Sequence, residues 1–134
     1  MDSSGRVLIV EDNYLLLDLL TRACERSGCT VAAASSGEAA LMVIRELGAT
    51  IAWLCTDIDL PGLVDGWSVA DTFRALHPDR PVVYMSGAVH SRQRAVSTSL
   101  FVSKPFQLRP FADLASSLAA GAYPRAAADL RAAG

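Results

Sequence analysis

The stretch RVLIVEDN, residues 6–13, changes character within a single residue: the aliphatic run Val7-Leu8-Ile9-Val10 gives way at once to Glu11, Asp12 and Asn13. A continuous aliphatic run without alternation reads as a strand buried on both faces, and the abrupt acidic end marks where it emerges at its carboxyl edge. Residues 14–27 then place Leu16, Leu19, Leu20 and Ala23 on one helical face, with Gly28 as the stop. Residues 6–28 are therefore one β-α unit.

The unit repeats downstream. Cys29 to Ala34 reads as a weak strand, Ser35-Ser36-Gly37-Glu38 as a capping box, and Ala39 to Leu47 as a helix ending at Gly48. Ile51 to Thr56 (IAWLCT) is a third strand, followed by a turn-rich loop from Asp57 to Asp65 and a helix over Trp67 to His77, which Pro78 terminates. Pro81 to Met85 is a fourth strand and Phe101 to Ser103 a short fifth. Leu108 to Ala119 is a last helix, with Pro110 tolerated in its first turn. Strands alternating with helices imply an α/β, doubly wound parallel sheet with right-handed crossovers. In the five-stranded version the order is 2-1-3-4-5, and chemistry collects outside the carboxyl ends of strands 1 and 3, where the order reverses.

Composition sets the bounds. At 134 residues, 51% hydrophobic and 19% charged with a net charge of -2, the chain has the profile of one globular domain and lacks the basicity of a nonspecific nucleic-acid binder. No apolar stretch is long enough for a membrane span or a signal-peptide core, so a cytoplasmic location is expected. Cys24, Cys29 and Cys55 are an odd set without CxxC spacing, as expected of reduced structural thiols. Lys104 is the single lysine among twelve basic residues. That isolation points to a place for a compact ammonium rather than a forked guanidinium.

The predicted topology brings Glu11 and Asp12 from strand 1, Asp57 from strand 3, Ser86 from strand 4 and Lys104 from strand 5 to one edge. Carboxylates about 4 Å apart repel by roughly 4 kcal/mol at an effective dielectric of 20, so this cluster calls for a proton or a cation. Mg²⁺ suits it, since that ion prefers oxygen ligands and is held by one or two carboxylates plus a phosphate. Asp57 then keeps an oxygen free to attack phosphorus, while the metal and Lys104 neutralise charge on the transferring oxygens. Ser86 is placed to donate a hydrogen bond to the same group, and the backbone amides of Ile58 and Gly87 are further candidate donors. Taken singly, the bland readings hold: an acidic pair is an ordinary solvated loop, Asp57-Ile58-Asp59 ordinary turn chemistry, Ser86 a cap, and Phe101, Trp53 and Trp67 core. Their joint occurrence in the required order favours a site.

From about Arg6 to Ala119 the chain resembles the receiver domain of two-component response regulators. The motifs that carry the resemblance are VLIVEDN with Glu11 and Asp12; the DxxxP of Asp57 to Pro61 followed by Asp65-Gly66; PVVYMSG with Ser86; and Lys104-Pro105-Phe106 preceded by Phe101. The resemblance implies a flavodoxin-like fold in which Asp57 takes a phosphoryl group from a histidine kinase or a histidine phosphotransfer protein. It implies further that Glu11, Asp12, Asp57 and the carbonyl of Asp59 hold Mg²⁺, and that Ser86 and Lys104 contact the phosphoryl group. Phe101 would be an aromatic whose rotamer follows Ser86, and the Lys104-Pro105 bond would be cis. Such a protein is a signalling phosphoacceptor that catalyses its own phosphorylation and dephosphorylation, acting as a monomer or weak homodimer.

Two departures from the family pattern stand out. The loop between Pro61 and Asp65-Gly66 is one residue longer than the common pattern, and the interval from Ser86 to Lys104 is several residues shorter. The shortening falls where the family has its fourth helix. Ala88 to Ser99 (AVHSRQRAVSTS) is rich in Ser and Thr and offers few apolar anchors, so that helix is expected to be reduced to a turn or loop. A receiver domain over residues 1–119 and an Ala-rich tail over 120–134 without an output domain are expected. The signal would leave by docking of a downstream protein on strand 5, the last helix and the 88–99 segment, with the kinase engaging helix 1 and the loops around Asp57. Three further readings compete, of which a pseudo-receiver that binds partners without phosphorylation has nothing in the sequence to favour it, since every expected site residue is present. A phosphohydrolase of the haloacid dehalogenase type also uses a DxD motif with Mg²⁺, which Asp57 and Asp59 would supply, but it places that motif on its first strand. A flavin carrier would need a phosphate cradle where Glu11 and Asp12 repel phosphate.

Overall fold

The computed structural model describes residues 5–88 and 92–121 of the chain. Its sheet has five parallel strands in the order β2-β1-β3-β4-β5: β1 Arg6–Val10, β2 Thr30–Ala34, β3 Ile51–Asp57, β4 Val82–Ser86 and β5 Ser99–Ser103. The helices are α1 Tyr14–Arg26, α2 Gly37–Leu47, α3 Gly66–Leu76 and α4 Leu108–Ala119. The doubly wound sheet and its order are as the apolar runs implied, with boundaries moved by a residue or two. The largest shift is in β5, where pairing of Val82 with Ser99 and of Val83 with Leu100 recruits two residues ahead of Phe101.

Each face of the sheet carries its own core. On one, Val7, Ile9, Cys55, Val83, Met85 and Val102 pack under α1 and α4; on the other, Leu8, Val10, Leu54, Val82 and Tyr84 pack under α2 and α3. The alternation follows from the two-residue period of a strand, so an aliphatic run such as Val7 to Val10 feeds both cores at once. The three cysteines are buried and unpaired. Among the described residues no helix is long and apolar enough to cross a membrane.

Caps define where the helices begin. Asn13 accepts from the Leu16 amide, Ser36 from Ala39 and Asp65 from Ser68. The expected capping box is thereby corrected: Ser36 is the cap, and the Glu38 carboxylate turns away to accept the Leu63 amide at 3.0 Å. That contact ties α2 to the lengthened loop after Asp57. Gly37 completes the tie, because a Cβ there would stand 2.2 Å from the Val64 carbonyl oxygen.

Among the described residues, the connection between β4 and β5 contains one 3-10 turn, Arg92–Arg94, and no α-helix. Residues 89–91, part of the segment expected to lack a fourth helix, lie outside the described residues, as does the expected tail from residue 122 onward. The Arg74 guanidinium fastens the far end of this connection. It donates to His77 O (2.8 Å) and Arg80 O (2.6 Å) at the end of α3, and to Ser97 O and Thr98 O (3.2 Å) at the entry to β5. Thr98 sits at φ 57°, a left-handed conformation uncommon for a β-branched residue.

Candidate functional site

Pairing of Val10 with Thr56 and of Asp57 with Met85 brings the carboxyl ends of β1, β3 and β4 together at the switch point. Glu11, Asp57 and Ser86 are 1%, 5% and 6% exposed there, so three polar groups are buried at the rim of an otherwise apolar sheet. Buried charge is tolerated only when paired, and Lys104 supplies the pair. Its ammonium donates to Glu11 Oε1 at 2.7 Å and to Asp57 Oδ2 at 3.2 Å. The other oxygen of Glu11 accepts the Asn13 amide at 3.1 Å, which orients the carboxylate toward the lysine. Lys104 follows β5 directly, its amide donating to Ser86 O at 2.7 Å, and it precedes a cis bond to Pro105.

Burial pushes the Asp57 carboxyl above its ordinary range and the charge of Glu11 adds to this, while Lys104 and the Asp59 amide pull it back. For Lys104, burial works against the ammonium, but the hydrogen bond to Glu11 and the charge of Asp57 outweigh it and hold the group above its usual value. The site thus keeps its lysine charged and its Asp57 carboxylate destabilised, the condition of a group that gains by binding a cation or by being esterified.

Oxygen atoms of Glu11, Asp12 and Asp57 lie within 4.8 Å of one another. An all-oxygen donor set of this size, with Asp12 exposed and open to water, fits a hard divalent cation such as Mg²⁺.

The donors around Asp57 differ in part from expectation. Ile58 cannot offer its amide to a bound group, because that N–H donates to Met85 O at 2.9 Å and continues the sheet. The amide that reaches the Asp57 carboxylate belongs to Asp59. The Asp59 side chain in turn accepts from the Ser86 hydroxyl at 3.2 Å, and Ser86 also contacts the carbonyl and amide of Ala88 at 3.1 and 3.0 Å. Gly87 is exposed beside the Cβ of Lys104. The Asp65-Gly66 pair has a steric reason: a Cβ on Gly66 would lie 2.0 Å from the Asp57 carbonyl oxygen, and the Gly66 amide donates to Ile58 O at 2.9 Å. Glycine is what lets α3 start against the backbone of Asp57.

Phe101 is half-buried over β4, opposite Tyr84, with ring centroids 5.1 Å apart; Trp67 of α3 stands 4.9 Å from Tyr84 and 6.3 Å from Phe101. The sequence did not single out Tyr84, which looked like one more strand residue. Its hydroxyl accepts the Val96 amide at 3.0 Å and so holds the loop that stands in the place of a helix.

Fold and site together define a class: a doubly wound α/β domain with a buried aspartate, a cluster of carboxylates and a lysine at its switch point. Over residues 7–115 the chain matches the model of the response regulator receiver domain. It is 32% identical over 116 residues to the sensor kinase CckA of Brucella abortus, covering 84% of this chain and 12% of that protein. It is 30% identical over 125 residues to the response regulator protein FleR of Pseudomonas aeruginosa, covering 90% of this chain and 26% of that one. The crystal structure of a response regulator receiver protein from Sinorhizobium medicae superposes with a TM-score of 0.80 at 30% identity, covering 90% of this chain and 98% of that chain. The chain belongs to the response regulator receiver family. This membership displaces the dehalogenase-type reading of Asp57 and Asp59. The chain spans only 12% and 26% of the length of these two curated relatives.

Proposed function

We propose that Asp57 is the phosphoryl acceptor of this receiver and that Glu11 and Asp12 are its partners in holding Mg²⁺. The observation that carries the reading is the buried Asp57 carboxylate, 3.2 Å from the Lys104 ammonium and within 4.8 Å of the carboxylate oxygens of Glu11 and Asp12. When bound, the cation would neutralise charge on the phosphoryl oxygens. The residues of the chain do the rest. An Asp57 oxygen forms the new P–O bond as the P–N bond of a phosphohistidine breaks, and the departing imidazole nitrogen keeps the electron pair and takes a proton from solvent. Lys104 is poised to follow the charge from the carboxylate to the phosphoryl oxygens, and the Asp59 amide is placed to donate to them. Ser86 must exchange its bond to Asp59 for one to the phosphoryl group, and the Gly87 amide lies on the same rim.

The protein donor, a histidine kinase or a histidine phosphotransfer protein, is inferred to cover the rim around Asp57. A groove of about 510 Å³ begins at Lys104 and runs between α1 and the start of α4, floored by Leu16, Leu19, Phe106 and Leu108. At the start of α1, Tyr14 and Leu15 are 76% and 71% exposed, an apolar surface suited to cover by a partner. Action in the cytoplasm, with a downstream protein docking on the face of β5 and α4, completes the reading. Phosphotransfer from a phosphorylated histidine phosphotransfer protein tests it. The label should reach this chain and be lost in Asp57→Asn; transfer that persists in that variant would assign the acceptor elsewhere.

A further inference from the structure

The connection between β4 and β5 is tacked to the body of the domain at points that lead back to the site. Tyr84 and Ser86 are two residues apart on β4 and so share a face, the face of α2 and α3. Ser86 touches Asp59 and Ala88 at the rim of the site, whereas Tyr84 touches Phe101 and holds the Val96 amide. Above this pair stand two guanidiniums. Arg92 lies 4.4 Å from the centroid of Phe101, and Arg94 lies 5.8 Å from that of Trp67 while pairing with Asp71 at 3.3 Å. Arg92 and Arg94 are exposed, so their charge remains in water while the guanidinium plane covers an aromatic face.

We propose that Arg92 is a positioning residue for the phosphoryl switch: its guanidinium holds Phe101 in the half-buried place seen here, so that occupation of the site must release the Arg92–Phe101 contact. The inference rests on Asp57 being the acceptor. Its reasoning is steric and electrostatic. A group esterified to Asp57 recruits the Ser86 hydroxyl, the end of β4 moves toward it, and Tyr84 and Phe101 shift on the same face. Phe101 sits in β5 directly opposite Tyr84, and inward displacement of its ring draws it out from under Arg92. The contact therefore favours the arrangement with the site empty and opposes the occupied one, and the 92–96 turn is freed when it breaks. The Arg92–Phe101 and Val96–Tyr84 contacts are the ones among the described anchors of this turn that lead directly to the aromatic pair beside Ser86.

The test titrates the chain with beryllium fluoride and Mg²⁺, a non-covalent phosphoryl mimic, following Trp67 emission and exchange of the Val96 amide. A cation–π contact at an exposed position corresponds to a change of about two- to fivefold. Arg92→Ala should lower the half-saturating concentration by that factor, and Arg92→Lys, which keeps a cation over the ring, should stay nearer the parent. In a Phe101→Leu background, Arg92→Ala should change nothing, which a general structural effect of losing the arginine would not reproduce. Equal shifts with and without Phe101, no shift, or weaker binding in Arg92→Ala would overturn the proposal. Should Phe101→Leu fail to fold, the Val96 amide decides alone: saturation must speed its exchange in the parent, and an unchanged or slower rate overturns the proposal. A chain that binds no mimic and takes no label from acetyl phosphate overturns the acceptor assignment as well, whereas binding without Arg92–Phe101 coupling overturns only this inference.

Discussion

Replacing Asp57 by asparagine should make the metal-free protein more stable at neutral pH, although it removes the group proposed to accept the phosphoryl. Taking an effective dielectric of 20, the Lys104 ammonium at 3.2 Å attracts the Asp57 carboxylate by about 5 kcal/mol, and a carboxylate oxygen of Glu11 within 4.8 Å repels it by at least about 3.5 kcal/mol. Asp12 is exposed and largely screened. The two close partners thus nearly offset each other, and the desolvation of a carboxylate only 5% exposed decides the sign. Asparagine keeps the shape, carries no charge, and is expected to raise stability by about 0.5–2 kcal/mol. The pH dependence follows from the raised folded-state value. Below the unfolded value of 3.8 Asp57 is protonated in both states and the difference vanishes; it grows as pH rises through the folded-state value and is complete above it. Urea midpoints of both proteins between mildly acidic and neutral pH, with a chelator present, read it out. A variant less stable than the parent at neutral pH, or a difference independent of pH, would refute the reasoning.

Other substitutions probe the surroundings of the acceptor. Lys104→Gln leaves Glu11 and Asp57 without their cation and should cost about 3–5 kcal/mol at neutral pH. Because the lysine is held above its ordinary value, the loss persists into alkaline solution and disappears only above the folded-state value; Mg²⁺ should restore more stability to the variant than it adds to the parent, measured by thermal unfolding. Gly66→Ala drives a Cβ against the Asp57 carbonyl and should destabilise by about 2–4 kcal/mol in denaturant unfolding, with slowed labelling by acetyl phosphate. Arg74→Ala removes donors to four backbone carbonyls and should cost about 2–4 kcal/mol, with hydrogen exchange rising at residues 97–99 and in Val82, whose amide bonds Thr98 O at 3.1 Å.

Patterning decided the architecture because each strand is an unbroken apolar run ending in a polar residue, so Glu11, Asp57, Ser86 and Lys104 could be placed on one edge by topology alone. The same logic led to the expectation of a reduced fourth helix, since Ala88 to Ser99 has too few apolar positions to dock one, and among the described residues of that stretch the only helical element is the 3-10 turn Arg92–Arg94. What patterning could not carry was the choice among hydrogen-bond partners a residue apart. Ile58 and Asp59 both follow the acceptor, but the pleat gives the first amide to Met85 and leaves the second for the carboxylate. Glu38 has the right spacing for a capping box with Ser35, yet Ser36 caps the helix and the lengthened loop offers Glu38 the Leu63 amide instead. Tyr84 and Arg74 act through contacts remote in sequence, one to Val96 and the other to Ser97 and Thr98. No local motif encodes such pairs.

The central claim is that Asp57 accepts a phosphoryl group with the help of a cation held by Glu11 and Asp12. Incubation with acetyl phosphate and Mg²⁺, followed by intact-mass measurement, tests it most directly. The account predicts the addition of one phosphoryl group, lost with a chelator, lost in Asp57→Asn and strongly reduced in Asp12→Asn. Labelling that survives Asp57→Asn, or that proceeds equally well without a divalent cation, would contradict it.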